Sequence, residues 1–307
     1  MPAPKWDVLG VGCNSVDYVY RVPASPVADS PTAKLRISSH DVMYGGQTAT
    51  AVAACARLGL RAAYLGCVGN DTNGRLLAGE LQRRGVDVSP MMTRDCANRF
   101  AVITVDEVTG ERIVLWDRND LLNLAASEID PAVIRAARVV HVDDEDQDAG
   151  IAAARTARAA GIQVTSDIDR VTERTRELIA AVTIPIFAQH VLPAITGESD
   201  PERGLRAVRG WHDGMLCVTL GPRGAMVLAG DEVSYVPALQ VTTVDSTAAG
   251  DMFRAGFIFG LLEGRTAQQI LEFANAAAAL SCTKAGAMAS VPELSDVMRA
   301  MGERALR

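Results

Sequence analysis

The sequence predicts an α/β protein with a doubly wound, mostly parallel sheet and a small β-sheet lid. Short apolar runs alternate with amphipathic segments that end at glycine, a pattern typical of a parallel sheet covered by helices. Two pairs of β-rich segments lie outside this alternation and predict the lid. At 307 residues, 49% of them hydrophobic, the chain is long enough for one large core. We therefore predict a single domain over residues 1–307, with the lid formed by about residues 14–44 and 98–118.

The composition excludes several function classes. The net charge of -7 and the pI near 5.2 argue against a nucleic-acid partner. The sequence has no run of 18 uncharged apolar residues, so we expect no membrane span. Six cysteines without paired spacing indicate a reduced, cytoplasmic protein, and the four scattered histidines give no metal-binding pattern. The remaining class is a protein that acts on small molecules.

The chain opens with an apolar run, residues 6–12, that predicts a strand buried on both faces of a sheet. Gly10 and Gly12 form G-x-G, which raises the alternative of a dinucleotide site. The third glycine position holds Ser15 and no helix follows at once, so the motif is incomplete.

The predicted lid strands come next. Residues 16–22 and 34–44 are β-rich and are separated by a loop with three prolines. Residues 99–105 and 112–117 are a second pair, and the turn around Thr109 and Gly110 predicts a hairpin. The four strands together predict a small sheet that covers the core.

Between these pairs, Gly45 and Gly46 lead into an Ala-rich helix that ends at Gly59. Paired glycines let the backbone approach a ligand at a helix N-terminus, which favours contact with a sugar or a phosphate. A tight turn into a helix is the alternative.

The rest of the sheet follows from repeated strand and helix patterns that end at residue 220. Predicted strands are residues 62–69, 138–142, 162–168, 184–188 and 215–220; predicted helices are residues 75–84, 149–160, 173–181 and 200–210, with another beginning at Pro131. An acidic cluster, residues 143–148, follows one strand at the edge where α/β sheets bind ligands. Asp143 or Asp144 could contact a ligand there, and a solvated loop with a helix cap is the alternative.

Residues 244–257 carry the main functional hypothesis. Ser, Thr, small residues, Gly250 and Asp251 precede a helix predicted over residues 252–263, which places backbone N–H groups at a helix N-terminus. Asp251 could take a proton from a substrate hydroxyl while these N–H groups stabilise charge on a phosphoryl group. Plain N-capping is the alternative.

This segment resembles the signature D-[ST]-x-[GA]-A-G-D-x-F-x-[AG]-G of the ribokinase-like carbohydrate kinases (PfkB family), and the resemblance covers nearly the whole chain. It implies ATP-dependent phosphorylation of a sugar hydroxyl. Asp251 would be the base, and the N–H groups of Ala248, Ala249 and Gly250 would form the anion hole. Such chemistry depends chiefly on positioning and charge stabilisation.

The second element of the resemblance is GGQTATAVAACARLG, residues 45–59, which is similar to the family's N-terminal signature with Thr50 in place of the usual Asn. The family's early sugar-binding Asp matches Asp17, beside Asn14. The resemblance therefore implies these substrate-binding residues: Asp17, Asn14, Gly45, Gly46, Gln47 and Thr50.

The nucleotide side rests on two weaker matches. Residues 218–225 are similar to a family strand and turn near the nucleotide, and residues 275–287 to a helix and small-residue segment beside the adenine. Alone, these patterns would predict a hairpin turn and a buried helix. The resemblance implies these nucleotide-binding residues: Thr219, Gly221, Gly224, Asn275, Lys284 and Gly286.

The chain departs from the family at the Asn-x-x-Glu motif that helps to order metal and phosphates, where Ala188 and Val191 stand. We therefore assign no metal ligands, although Mg²⁺ is expected with ATP, held mostly by phosphates and water. The resemblance also implies a monovalent cation such as K⁺ near Asp245 and Thr247, and a homodimer formed through the lid. No P-loop motif is present.

Two alternatives remain open. A nucleoside kinase would need an aromatic-rich pocket, and only 5% of residues are aromatic, which favours a sugar. A non-catalytic sugar-binding or regulatory protein on the same fold would be consistent with the missing Asn-x-x-Glu motif.

Overall fold

The computed structural model of the protein describes residues 3–302. The strands are β1 (Trp6–Val11), β2 (Ser15–Val22), β3 (Ser39–Gly45), β4 (Ala62–Leu65), β5 (Cys67–Gly69), β6 (Met92–Arg94), β7 (Phe100–Asp106), β8 (Arg112–Asp117), β9 (Ala137–Asp143), β10 (Gln163–Asp167), β11 (Ile186–Ala188), β12 (Leu216–Thr219), β13 (Ala225–Ala229) and β14 (Glu232–Val236). The helices are α1 (Gln47–Arg57), α2 (Thr72–Arg83), α3 (Pro131–Arg135), α4 (Gln147–Ala159), α5 (Thr175–Ala181), α6 (Val191–Thr196), α7 (Pro201–Arg209), α8 (Ala249–Leu262), α9 (Ala267–Ser281) and α10 (Leu294–Ala300). Short 3-10 helices cover Pro31–Ala33, Asp120–Leu122, Ala126–Glu128, Gly221–Arg223 and Met288–Ser290.

The central sheet is mostly parallel, which confirms the predicted fold class. Strands β4, β1, β9 and β10 lie side by side in parallel. Two parallel bridges, from Thr165 to Ile184 and from Ile168 to Phe187, join this part to the order β11-β12-β13-β14. Only the last three strands pair antiparallel.

Helices cover both faces of this sheet, as the apolar run of β1 requires. Val8 packs in one buried cluster with α1, α2, α8, α9 and α10. Its neighbour Leu9 points to the opposite face and packs in a second cluster with α3 to α7. The alternation of a strand's side chains thus builds a three-layer molecule with two cores.

The lid is a separate four-stranded sheet in the order β3-β2-β7-β8. β2 pairs with β7 in parallel, while β3 and β8 pair antiparallel at the two edges. Alternate side chains of this sheet, among them Asp17, Ile103 and Arg112, line a cleft between the lid and the loop before α8. The predicted hairpin of the second strand pair is present as β7 and β8.

Helix α8 begins at Ala249, three residues before the start that the sequence predicts. Ala248 is its N-cap and adopts a left-handed conformation with φ of 65°. Gly250 and Asp251 therefore belong to the first helical turn and are not residues of the preceding loop. Among residues 3–302, no helix has the length and apolar character needed to cross a membrane.

Candidate active site

The loop from Asp245 to Ala248 and the first turn of α8 form the centre of the site. The first N–H groups of a helix have no partner within the helix and carry a partial positive charge. Ala249 and Gly250 line a cavity of about 430 Å³ together with Ser246 and Phe253. The predicted anion-binding N–H groups of these two residues thus lie at a cavity, as phosphate binding requires.

Gly250 packs closely against the side chain of Arg254. A Cβ atom at this position would lie 2.7 Å from Nη1 of Arg254, which is closer than Cβ atoms approach other atoms. The arginine is itself only 3% exposed and lies one helical turn further along α8. Its guanidinium therefore packs directly beneath the first turn of the helix.

Asp251 lies beside a buried ion pair. Nη2 of Arg254 is 2.5 Å from Oδ1 of Asp167, at the end of β10, and both side chains are 4% exposed. Burial and the negative charge of Asp167 raise the pKa of Asp251, and Arg254 opposes this shift. Burial likewise raises the pKa of Asp167. A carboxyl group with a raised pKa is a better proton acceptor when it is ionised, which suits a general base.

Four of the predicted nucleotide residues share the cavity of Ala249 and Gly250: Thr219, Gly221, Gly224 and Asn275. Gly221 and Gly224 adopt positive φ angles of 57° and 102° in the turn between β12 and β13. Nδ2 of Asn275 donates to the carbonyl oxygens of Val236 and Pro237, at 2.9 and 3.3 Å. The asparagine therefore holds the wall of the cavity in place with its amide.

Lys284 and Gly286 lie elsewhere than the resemblance implies. Neither lines the nucleotide cavity, and Lys284 is exposed. Gly286 lines the lid cleft and donates its N–H to Oδ2 of Asp245 at 2.9 Å. The turn that follows α9 directs this glycine to the lid side, so its contact is with the loop before α8.

On the sugar side, Asp17 and Gly45 face each other. A Cβ at Gly45 would be 2.9 Å from Oδ2 of Asp17, so the glycine leaves room beside the carboxylate. Oδ1 of Asp17 accepts a 2.6 Å hydrogen bond from Ser15, and burial raises the pKa of the group. Asp17 lines the cleft of about 550 Å³. One carboxylate oxygen thus remains for a substrate hydroxyl.

Asn14 has a structural role that the resemblance does not imply. Its Nδ2 donates to the Tyr64 hydroxyl at 3.0 Å and to the Cys67 carbonyl at 2.7 Å, and its Oδ1 accepts from Asn98 at 3.1 Å. Both of its amide hydrogens are therefore engaged by protein. The backbone of Asn14 packs closely against the Gly45–Gly46 turn, since a Cβ at Gly46 would lie 2.4 Å from the Cα of Asn14.

The other two predicted sugar residues lie on the first turn of α1. Thr50 is fully buried, and its hydroxyl has no hydrogen-bond partner among the described residues. Gln47 is partly exposed, and its Oε1 lies 4.0 Å from the Cys13 thiol. Neither residue lines the nucleotide cavity or the lid cleft. Only Gln47 is exposed enough to reach a ligand.

The acidic cluster after β9 is mostly engaged within the protein. Oδ2 of Asp143 accepts hydrogen bonds from the Cys13 N–H and the Thr48 hydroxyl, both at 2.7 Å. Oδ2 of Asp144 accepts the N–H groups of Asp169 and Arg170 at 2.8 and 2.6 Å. The structure therefore favours the alternative in which these carboxylates fix loops around the site.

The nucleotide cavity and the lid cleft meet. Thr243 and Ser246 line both, so the segment before α8 forms their common wall. A group bound at the first turn of α8 lies at the boundary between the two spaces. This arrangement lets a phosphoryl group pass from a donor on one side to an acceptor on the other.

The described residues include no group of three or more His, Cys, Asp or Glu side chains arranged to bind a metal ion. Val191, at the position of the missing Glu, is fully buried. Asp245 accepts the N–H groups of Thr247 and Gly286, at 2.8 and 2.9 Å. The described side chains alone therefore form no binding site for a catalytic metal ion.

Three residues near the site were missed in the sequence. Arg254 could have been noticed in the sequence, since it is a charge within an otherwise apolar helix. Asp167 could also have been noticed, since it is an acidic residue at the end of a buried strand. Arg112 gave no signal in the sequence. Its Nη1 donates to Oγ1 of Thr247 at 2.7 Å, a contact between residues 135 positions apart.

Comparison with known proteins agrees with this geometry. Residues 13–294 match the model of the pfkB family carbohydrate kinases. The chain is 33% identical to an ATP-dependent ribose-1-phosphate kinase of Halopiger xanaduensis, over 97% of this chain and 98% of that protein. It is 27% identical to the ribokinase of Haemophilus influenzae, over 94% and 96%. The structure of Arabidopsis thaliana ribokinase complexed with ribose and ATP has the same fold, with a TM-score of 0.84 at 24% identity over 97% and 99% of the two chains. The chain belongs to the pfkB family of carbohydrate kinases.

Proposed function

We propose that the protein transfers the γ-phosphoryl group of ATP to a hydroxyl of a sugar, with Asp251 as the general base. The observation that supports this most directly is the shared wall of the two cavities, at the N-terminus of α8. The nucleotide residues Thr219, Gly221, Gly224 and Asn275 lie on one side of it. Asp17 lies on the other side of this wall, in the lid cleft.

The proposed step conserves atoms and charge. The sugar oxygen forms a bond to the γ-phosphorus, and the hydroxyl proton passes to Asp251. The bond between the γ-phosphorus and its bridging oxygen breaks, and its electron pair leaves with ADP. The N–H groups of Ala248, Ala249 and Gly250 stabilise the charge on the transferring group.

ATP as the donor is supported by the ribose-1-phosphate kinase relative, which is named ATP-dependent. Mg²⁺ enters with the nucleotide and neutralises its phosphates. Since residues 3–302 offer no side-chain cage for a metal, the phosphates and water supply most of its ligands. A monovalent cation near Asp245 and Thr247 is a further part of the proposal, and activity with KCl compared with NaCl tests it.

The acceptor is a sugar or a sugar derivative. Relatives include proteins named ribokinase, fructokinase and ribose-1-phosphate kinase. One relative, at 24% identity, is named nucleoside kinase. The cleft favours a sugar, because its lining mixes carboxylates with aliphatic side chains and includes no aromatic ring.

Release of ADP from Mg-ATP tests the proposal with a panel of ribose, fructose, ribose 1-phosphate, sugar acids and nucleosides. We expect turnover with at least one sugar or sugar derivative and none with nucleosides. Turnover with nucleosides alone would identify a nucleoside kinase. A sugar-dependent rise in melting temperature without any ADP release would identify a binding protein instead.

We further propose that the protein is a cytoplasmic homodimer formed through the lid. All six cysteines are unpaired in the structure, which fits a reducing compartment. The edge strand β8 exposes Val114, Leu115 and Trp116, at 51%, 64% and 61%. An exposed apolar edge strand favours pairing or packing against a second chain.

A further inference from the structure

Arg112 is the first residue of β8, on the face of the lid that lines the cleft. Its Nη1 donates to Oγ1 of Thr247 at 2.7 Å and lies 3.9 Å from Oδ1 of Asp245. A guanidinium group carried by the lid thus reaches across the cleft to the loop before α8. The side chain remains 47% exposed, so it is open to a ligand in the cleft.

The point that Arg112 reaches is the junction of the two cavities. Thr247 follows Ser246, which lines both spaces, and precedes the Ala248–Ala249–Gly250 turn of the proposed anion hole. A phosphoryl group that moves from a nucleotide to a sugar must pass this junction. Arg112 therefore stands on the acceptor side of the path, opposite the N–H groups of α8.

The chemistry requires positive charge at this point. A transferring phosphoryl group spreads negative charge over its three equatorial oxygens. Among the described residues there is no metal-binding cluster, and Ala188 and Val191 stand where the family motif would help to order a metal. Lys284 is exposed and lines neither cavity. Arg112 places a further positive charge at this junction, in addition to the Mg²⁺ that enters with the nucleotide.

Stability does not explain the contact. An ion pair that is half-exposed and 3.9 Å long contributes little to stability. The hydrogen bond to Thr247 uses one of the five guanidinium N–H donors, and the planar group is suited to bind two phosphate oxygens at once. The geometry fits a side chain that can exchange its hydrogen bond with Thr247 for hydrogen bonds to a bound phosphate.

We propose that Arg112 is a catalytic residue that binds the equatorial oxygens of the γ-phosphoryl group during transfer. This proposal rests on the proposed kinase function. Arg112 takes no proton and forms no covalent bond; it stabilises the charge while the bonds form and break as described above.

The test compares Arg112→Met, Arg112→Lys and the control Arg36→Met, which removes an exposed lid charge far along the chain from β8. Steady-state rates are measured with Mg-ATP and the best acceptor from the panel. We expect Arg112→Met to lower kcat by about 10²-fold or more, as for loss of one preorganised donor, with both KM values within about threefold of wild type. Arg112→Lys should recover part of kcat, because it keeps the charge but loses the planar fork. Arg36→Met should match wild type.

A second measurement uses Arg112→Ala with added guanidinium chloride at millimolar concentration. Partial recovery of kcat is expected, since the free cation can enter the space left by the side chain. A kcat within about threefold of wild type for Arg112→Met would overturn the proposal. A raised KM for the sugar with unchanged kcat would also overturn the proposal, since that result would mean that Arg112 only helps to bind the sugar. If wild type turns over no acceptor, the kinase function itself is contradicted and the proposal with it.

Discussion

At the scale of single residues, the site depends on charges that share a small buried volume. Arg254 and Asp167 lie within the protein next to Asp251, and each affects the same carboxyl group in the opposite direction. Asp167 raises the pKa of Asp251, and Arg254 lowers it. The pKa of the proposed base is thus adjusted by two buried residues with opposite charges.

These charges predict a pH dependence of kcat/KM. A base acts when ionised, so activity should rise with pH through the pKa of Asp251, which lies above the ordinary range of aspartate. Arg254→Met removes a cation that favours the ionised form, and the rise should move to higher pH by about one unit or more. Asp167→Asn removes an anion and should move it to lower pH. Shifts in the same direction, or none in either variant, would contradict this assignment.

The same pKa shifts determine whether the stability of the folded protein rises or falls with pH. Asp167 and Asp251 hold their protons more tightly in the folded protein than in the unfolded chain. Their contribution to stability is therefore fully present below the ordinary aspartate pKa and is lost as pH rises through the raised values. Melting temperatures at each pH show whether a loss of activity in the pH series reflects unfolding.

Residue roles were only partly predictable from the sequence. The position of residues 245–251 at a helix N-terminus followed from a local motif and is confirmed, while the catalytic roles of Asp251 and Gly250 stay predictions. Asn14 was predicted as a sugar ligand, yet its amide is engaged by Tyr64, Cys67 and Asn98, which are distant in sequence. The contact between Arg112 and Thr247 likewise depends on how the lid lies over the core. A local sequence pattern carries no information about the position of the lid.

At the scale of elements, α8 is held by close packing against α9. A Cβ at Gly256 would be 2.8 Å from the Cα of Ala274 and 3.3 Å from the Cβ of Ala277. The two helix backbones therefore approach each other closely at this glycine. Because α8 also carries Gly250 and Asp251, this packing fixes the position of the proposed anion hole beside the cavity that Gly250 lines.

We predict that Gly256→Ala destabilises the protein by about 1–3 kcal/mol, because the added methyl group meets backbone that cannot move aside. Gly79→Ala, in α2, is the matched control, since a Cβ there has nothing within 4 Å. It should stabilise by up to about 1 kcal/mol through helix propensity. Denaturant unfolding monitored by circular dichroism gives both values. Equal effects of the two substitutions would exclude close packing as the function of Gly256.

Elements were more predictable than single contacts. Buried strands such as β1 are continuous apolar runs, and most helices end at a glycine, so the positions of strands and helices along the chain follow from local pattern. The start of α8 was placed three residues too late, because Gly250 and Asp251 resemble a cap in sequence. The structure shows that Ala248, in a left-handed conformation, is the residue at that boundary.

At the scale of the whole molecule, strand β8 of the lid is common to the proposed dimer surface and the proposed catalytic arginine. β8 has Arg112 at one end and exposes Ile113, Val114, Leu115 and Trp116 along its length. If the lid is the dimer surface, a second chain covers these side chains and fixes the strand that carries Arg112. The two proposals therefore concern the same strand.

The predicted dimer has a direct measurement. Size-exclusion chromatography with light scattering should give about twice the chain mass of 32.5 kDa. Leu115→Glu should shift the protein toward the monomer, because a charge on the apolar strand opposes its burial. The exposed Val171→Glu, in the loop after β10 and outside the lid, is the control and should remain dimeric. A monomeric wild type would refute the dimer and leave the kinase function untouched.

The central claim is that Asp251 is the base of an ATP-dependent sugar kinase, and the turnover of Asp251→Asn tests it most directly. The variant keeps the size of the side chain but cannot accept the hydroxyl proton. With Mg-ATP and a saturating sugar that wild type phosphorylates, kcat should fall by at least about 10²-fold, the usual contribution of a general base, while circular dichroism and the melting curve show a folded protein. A folded Asp251→Asn variant with kcat close to wild type would contradict the account.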